Sequence, residues 1–240
     1  MKNWYQLTES ETLDKLGVTS EGLSSQQADS LLEKHGKNVL EESKKKSVFQ
    51  VFLSQFADLM VIILIIAAIV SMFSGSVEST IVIFAVITLN AILGTVQHVK
   101  AEKSLESLKS LSSPSAKVIR DGRKIEIDSE NIVPGDIVVL EAGDLVVADG
   151  RIINNYSLQV NESSLTGEST NIDKSVETIE KEVPLADRTD MVFSGSLVTY
   201  GRAIVVVTET GMNTEIGKIA TLMNQAKSKK TPLQLSLDKF

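Results

Sequence analysis

The sequence predicts an α+β membrane protein, a two-helix transmembrane hairpin joined to a small all-β domain with flanking helices. Three features lead there. Among the 53 positions between Lys46 and Lys100 there is no Lys or Arg, and the only acids are Asp58 and Glu78. Two apolar runs of membrane-spanning length fill most of that stretch. From 116 to 208 the chain changes to short segments rich in Val and Ile, separated by turn dipeptides. A soluble domain would rarely leave so long a stretch without solvating charge.

The amino-terminal segment is polar and reads as short helices. Ser10 is placed to cap a helix carrying Leu13 and Leu16 and ended by Gly17. Ser24 or Ser25 is placed to cap a second, carrying Ala28, Leu31 and Leu32 and ended by Gly36. This segment, 1–48 with its charged connector, is too small to hold its own core and is expected to pack on something else. The polar start also argues against a secretory signal peptide.

Residues 49–73 contain Asp58 as their only charge, and 79–97 contain none. A bilayer core of about 30 Å needs about 20 helical residues, so both runs are read as spans, joined by Ser74-Gly75-Ser76-Val77-Glu78. Lys44, Lys45 and Lys46 precede the first span, and Lys100, Lys103 and Lys109 follow the second. The connecting loop has no basic residue, so both long flanks are assigned to the cytoplasm. Beyond 97 the helical spacing continues through Leu105, Leu108 and Leu111, which extends the second span as a cytoplasmic stalk to about 112, where Pro114 and its serines end it.

The β-domain is assigned to 113–226. Expected strands are AKVIR, KIEI, DIVVL, LVVA, RII, LQV and AIVVVT. Asp121-Gly122, Pro134-Gly135-Asp136, Gly143-Asp144, Asp149-Gly150 and Gly201 supply the turns between them. Strands this short suggest a compact sandwich or roll. Residues 213–226 read as a closing helix with Ile216, Ile219, Ala220 and Met223 on one face, and 227–240 as a basic connector.

Composition narrows the function. With 24 basic and 31 acidic residues the net charge is −7, which argues against a nucleic-acid binder. There is no cysteine, hence no disulfide or thiolate site, and only two histidines, His35 and His98, far apart in the chain. No metal site is therefore expected. Asp58, inside the first run, is either an acid that snorkels to water or part of an ion path into the membrane. Glu78, at the outer end, has the lesser claim to such a role, and His98 is read as an interfacial residue.

One loop motif stands out, Thr166-Gly167-Glu168-Ser169. Alone it would be a surface turn. In its surroundings, with a membrane hairpin, a protruding helix and a β-domain, it resembles the amino-terminal part of a P-type cation-transporting ATPase. The likeness continues through Gly36-Lys37-Asn38, Gln55-Phe56-Ala57-Asp58-Leu59, Asn90-Ala91-Ile92 and Val133-Pro134-Gly135-Asp136. Ala142-Gly143-Asp144, Ala148-Asp149, Phe193-Ser194-Gly195, Thr214-Glu215-Ile216-Gly217-Lys218-Ile219 and Thr231-Pro232-Leu233-Gln234 extend it to the end of the chain. It looks most like the calcium-pump branch, the sarcoplasmic reticulum and secretory-pathway type. Asn161 departs from the Asp that calcium pumps often carry there.

The resemblance implies that the β-domain is the family's actuator, a distorted jelly-roll-like domain. It also implies that Glu168 positions the water that hydrolyses an aspartyl phosphate, with Gly167 allowing close approach and Thr166 and Ser169 anchoring the loop through their hydroxyls. ATP and Mg2+ would be bound by parts outside these residues, since the Asp-Lys-Thr-Gly-Thr segment and the nucleotide domain are not in the sequence. The chain is then expected to be a piece of a pump, without ATP turnover of its own, that stops where a third span would begin. Implied partners are the lipid bilayer, the phosphorylation and nucleotide domains, the remaining spans and a transported cation, Ca2+ first. The implied location is an integral, multi-pass membrane protein, in the plasma membrane if the source is bacterial. Two alternatives stand beside this. One is a membrane-anchored, non-catalytic β-domain acting as an interaction module. The other is a pump for manganese, sodium/potassium or protons.

Overall fold

The computed structural model describes residues 3–40, 47–75, 77–111 and 114–227. The chain divides into two compact units, Met1–Glu41 with Pro114–Phe240, and Glu42–Ser113. Helix α1 (Glu9–Leu16) is capped by Thr8, whose hydroxyl accepts from Glu11 N–H while the Glu11 carboxylate accepts from Thr8 N–H. This reciprocal box displaces the expected Ser10 cap, because only Thr8 has a carboxylate three positions on. Gly17 ends the helix in the left-handed region. Helix α2 (Ser25–His35) has the same device in Ser24 and Gln27 and is closed by Gly36.

The other unit contains α3 (Val48–Gln55), α4 (Leu59–Phe73) and α5 (Val77–Leu111). The first apolar run is not one continuous helix. It bends by 62° between α3 and α4. The reason lies in Asp58, which takes extended backbone and turns its carboxylate onto Met60 N–H at 2.9 Å, capping α4 from inside the run. By length and composition Val77–Leu105 can cross a membrane alone, and α3 with α4 makes a second span only if the bent pair counts as one. Small or short side chains mark where the helices meet. Ala68, Ala91 and Ile87 are buried, the Thr80 hydroxyl lies 3.5 Å from Ala68 O, and the Gln55 side chain sits against Gly94. Ile63, Ile66, Phe73, Phe84 and Leu89 face outward, as suits a lipid-facing surface.

The β-domain is one seven-stranded antiparallel sheet of β1 (Ser115–Arg120), β2 (Arg123–Asp128), β3 (Ile137–Glu141), β4 (Asp149–Asn161), β5 (Asn171–Asp173), β6 (Met191–Val192) and β7 (Leu197–Glu209). The strand order is β2-β1-β3-β7-β4-β5, with β6 on β4. A one-turn helix, α6 (Ser163–Thr166), lies between β4 and β5, and α7 (Glu215–Lys227) follows β7. Two expected strands, RII and LQV, are a single strand, β4. Asp149-Gly150 lies inside it and is no turn. Gly150 is there because a β-carbon would meet the Val205 side chain at 2.3 Å and Val206 O at 2.8 Å. Four register shifts against β7 let the two 13-residue strands curl instead of splitting. LVVA is not a strand. Leu145 makes an isolated bridge to Leu197, while Val146 and Val147 are buried as core.

The sheet is covered on both faces. Alternation along β7 sends Val205 and Val207 into the main core with Val118, Leu140, Ile152 and Val160. It sends Val206 to the other face, where Val18, Leu23 and Ala28 of the amino-terminal segment pack on Val133, Ile137 and Ile153. The amino-terminal helices thus find their core on the β-domain. Asp149 fastens α7 to this sheet by accepting from Ser194 N–H and Glu215 N–H, each at 2.8 Å.

Candidate functional site

β4 ends at Asn161, and the loop returns as β5 through a three-residue ladder, Asn161↔Asn171 to Gln159↔Asp173. At the tip α6 makes one turn. It stops where Gly167 enters the left-handed region at φ 76°, its N–H bonded to Ser163 O at 3.0 Å. Among the described residues nothing lies within 4 Å of a β-carbon built at Gly167. The space expected for close approach is open, and the demand this unit makes on Gly167 is the dihedral. Gly167→Ala is therefore expected to cost only about 1–2 kcal/mol in fold stability. Denaturant unfolding of the chain measures this, and a loss well above that would mean the loop packs more tightly than the geometry indicates.

Three groups tie the loop down. The carbonyl of Glu162 accepts from Leu165 N–H at 2.9 Å, Thr166 N–H at 3.0 Å and the Thr166 hydroxyl at 3.1 Å. The Asn161 side chain accepts from Ser163 N–H at 3.1 Å and Ser163 Oγ at 2.6 Å, and donates to Ser169 O at 3.2 Å. Ser164 Oγ donates to Gly195 O at 3.1 Å. The Thr166 hydroxyl thus anchors the loop, and it also accepts from Glu168 N–H at 3.3 Å. The tie at Ser169 runs through its carbonyl. Glu168 is exposed, with its carboxylate at the tip.

Beneath the loop lies a charge pair that sequence reasoning missed. Glu162 and Lys174 are both fully buried, with Oε1 2.5 Å from Nζ, and Nζ lies 5.5 Å above the Phe193 ring. Burial pushes the Glu162 carboxyl up and the Lys174 ammonium down, each against the pull of the other charge. The two are twelve positions apart, and only the β4–β5 pairing brings them together. Asn161 was visible in the sequence as a departure, without its loop-holding contacts. A cavity of about 270 Å³ lined by Trp4, Tyr5, Lys15, Arg188 and Phe193 lies elsewhere in this unit, and the loop does not line it. Among the described residues no three His, Asp or Glu side chains are arranged to hold a metal ion. Asp58 and Glu78 belong to the other unit, Asp58 as the cap of α4 and Glu78 in the first turn of α5.

The curled sheet and the amino-terminal segment packed on it both match known proteins. The family model described as the P-type ATPase actuator domain matches residues 110–224, and that described as cation transporter/ATPase, N-terminus, matches residues 4–71. The chain belongs to the P-type ATPases. Over 236 residues, 98% of its length, it is 48% identical to a calcium-transporting ATPase of Listeria monocytogenes. It is 46% identical over the same length to one of Lactococcus lactis, and 45% identical over 99% of its length to one of Bacillus cereus. It spans 27% of each of these relatives. The curled sheet is thus the P-type ATPase actuator, with the amino-terminal segment packed on it.

The loop is a surface element. The carboxylate is solvated, the turn beneath is held by main-chain hydrogen bonds, and the strand behind it is anchored in the core.

Proposed function

We propose that this chain works as the actuator domain and first membrane hairpin of a pump that couples ATP hydrolysis to cation transport, with Ca2+ as the transported ion. In this reading Thr166-Gly167-Glu168-Ser169 serves the dephosphorylation of the aspartyl-phosphate intermediate. One observation carries it, the exposed Glu168 carboxylate at the tip of a turn whose main chain is held from below. Such a group can orient a water and take its proton, and its placement matters as much as its basicity. ATP and Mg2+ are bound by other parts of the pump. Asp58 keeps a proposed role on the ion path, in which its capping of α4 would place a carboxylate at the bend.

Calcium is favoured by the names of the three relatives above. A broader cation reading has its own support, because a relative 40% identical over 94% of the chain is named only a cation-transporting ATPase, from Synechocystis. The test is phosphoenzyme formation by the complete pump in membranes, screened over calcium, manganese, sodium and potassium. Calcium-dependent formation is expected. Formation that follows another ion would reassign the substrate.

The proposed topology puts both flanks in the cytoplasm, with spans at 49–73 and 79–97 and basic residues on one side only. Reporters fused at residues 5 and 235 are expected to read as cytoplasmic, and one at Gly75 as external. An external signal from either flank would require redrawing the hairpin.

A further inference from the structure

Among the described residues, the Glu168 side chain makes no hydrogen bond or ion pair that aims it. The residue's one hydrogen bond is from its own N–H to the Thr166 hydroxyl. The reach of its carboxylate is therefore set by the backbone from Glu162 to Gly167. The middle of that backbone is held by the Glu162 carbonyl, through its three donors in Leu165 and Thr166.

The side chain of Glu162 points the other way, into the interior, where its Oε1 meets Lys174 Nζ at 2.5 Å. Neither group has another hydrogen-bonding partner among the described residues. Lys174 is itself fixed at the main chain, its N–H donating to Leu158 O at 2.9 Å and its carbonyl accepting from Asn155 Nδ2. Glu162 directly follows β4 and Lys174 directly follows β5. The ladder runs from Asn161↔Asn171 at its loop end to Gln159↔Asp173, so Glu162 lies past the loop end and Lys174 past the far end, and the pair spans the ladder between them.

Stability does not require this arrangement. Taking both ions out of water offsets most of their attraction, and an apolar pair of the same volume holds a core as well or better. An apolar pair cannot fix a separation, because its contacts are non-directional. We infer that the Glu162–Lys174 pair is a positioning device, which sets the main chain at Glu162 and through it the reach of Glu168. This rests on the dephosphorylation role proposed above for the loop.

The experiment is a chase of labelled phosphoenzyme in the complete pump. Lys174→Met and Glu162→Gln are made singly and together, with Glu168→Gln as reference. A displacement of about 1 Å at a reacting group costs about a hundredfold in rate. The single variants are therefore expected to phosphorylate at the parental rate and to lose phosphate about ten- to a hundredfold more slowly. The double variant, relieved of any unpaired buried charge, is expected to recover parental resistance to thermal inactivation while its decay stays slow. A merely structural pair would recover both together, and that result would overturn the inference. It would be overturned equally by parental decay in folded single variants, with Glu168→Gln still accumulating phosphoenzyme. Parental decay in Glu168→Gln itself would remove the proposed role of the loop and this inference with it. If either single variant fails to fold, the double variant carries the same test.

Discussion

Glu168→Gln in the complete pump is expected to leave phosphorylation by ATP intact while slowing the loss of phosphate by about a hundred- to ten-thousand-fold, the usual range of a general-base contribution. The amide is nearly isosteric and keeps hydrogen-bonding capacity, but it has neither the charge nor the basicity to take a proton from water. The loop should not notice the change. Glu168 is exposed and joins the loop through its N–H, which the substitution leaves in place. Phosphoenzyme should accumulate and steady-state turnover fall, while the melting of this chain stays where it was. Decay at the parental rate would show the loop to be only a turn, and the catalytic role would have to be withdrawn.

The largest stability effect is expected at Arg151. This guanidinium is fully buried within β4, 3.0 Å from the equally buried Asp190 carboxylate. It donates to Ile152 O at 2.8 Å, Asp190 O at 3.2 Å, Val176 O at 2.9 Å and Leu7 O at 3.4 Å. It therefore joins the amino-terminal segment, the sheet and two loops at one point. Removing one member leaves the other charged, buried and unpaired, which typically costs about 3–5 kcal/mol. Arg151→Met and Asp190→Asn should each lose about that much. Urea unfolding followed by Trp4 measures it, since Trp4 is the only tryptophan and its indole N–H donates to Glu209 of β7 at 2.9 Å.

The two variants should differ in their response to pH. Burial holds the Asp190 carboxyl at about 6, above its ordinary 3.8, even with Arg151, Lys174 and Arg188 nearby. Without Arg151 it must rise further. A carboxyl raised in the folded state destabilises as pH climbs through that value, and the penalty fades below the unfolded one. The deficit of Arg151→Met should therefore shrink between pH 7.5 and pH 5. The deficit of Asp190→Asn should not, because the stranded guanidinium stays charged throughout that range. Equal pH dependence in both variants would contradict the assignment of the buried pair.

Some of the fold was legible because its signals are local. The absence of Lys and Arg between Lys46 and Lys100 marked out the apolar helices, the Gly17 and Gly36 stops ended α1 and α2, the cap of α2 was narrowed to Ser24 or Ser25, of which Ser24 serves, and the Thr166–Ser169 motif pointed to its family. Errors arose where two local signals competed. Ser10 and Thr8 are both good caps, and Glu11 decides for Thr8 by returning the hydrogen bond. Asp58 was visible as an acid in an apolar run, and it turned out to cap α4 at a 62° bend. Asp149-Gly150 has the composition of a turn, yet it lies within β4, because Gly150 is where β7 comes too close for a side chain.

By itself the sequence determined the class, long apolar helices with a β-domain, and the family that its motifs resemble. Apolar runs, strand alternation and turn residues act over a few positions and need no partner. Only the tertiary structure decided what holds that loop. The single long strand β4, its four register shifts against β7, the Arg151–Asp190 pair and the Glu162–Lys174 pair across the β4–β5 ladder all depend on separate segments meeting in one register. A buried charge shows its partner only after the strands have paired, because the low dielectric that makes the contact matter is itself produced by that packing.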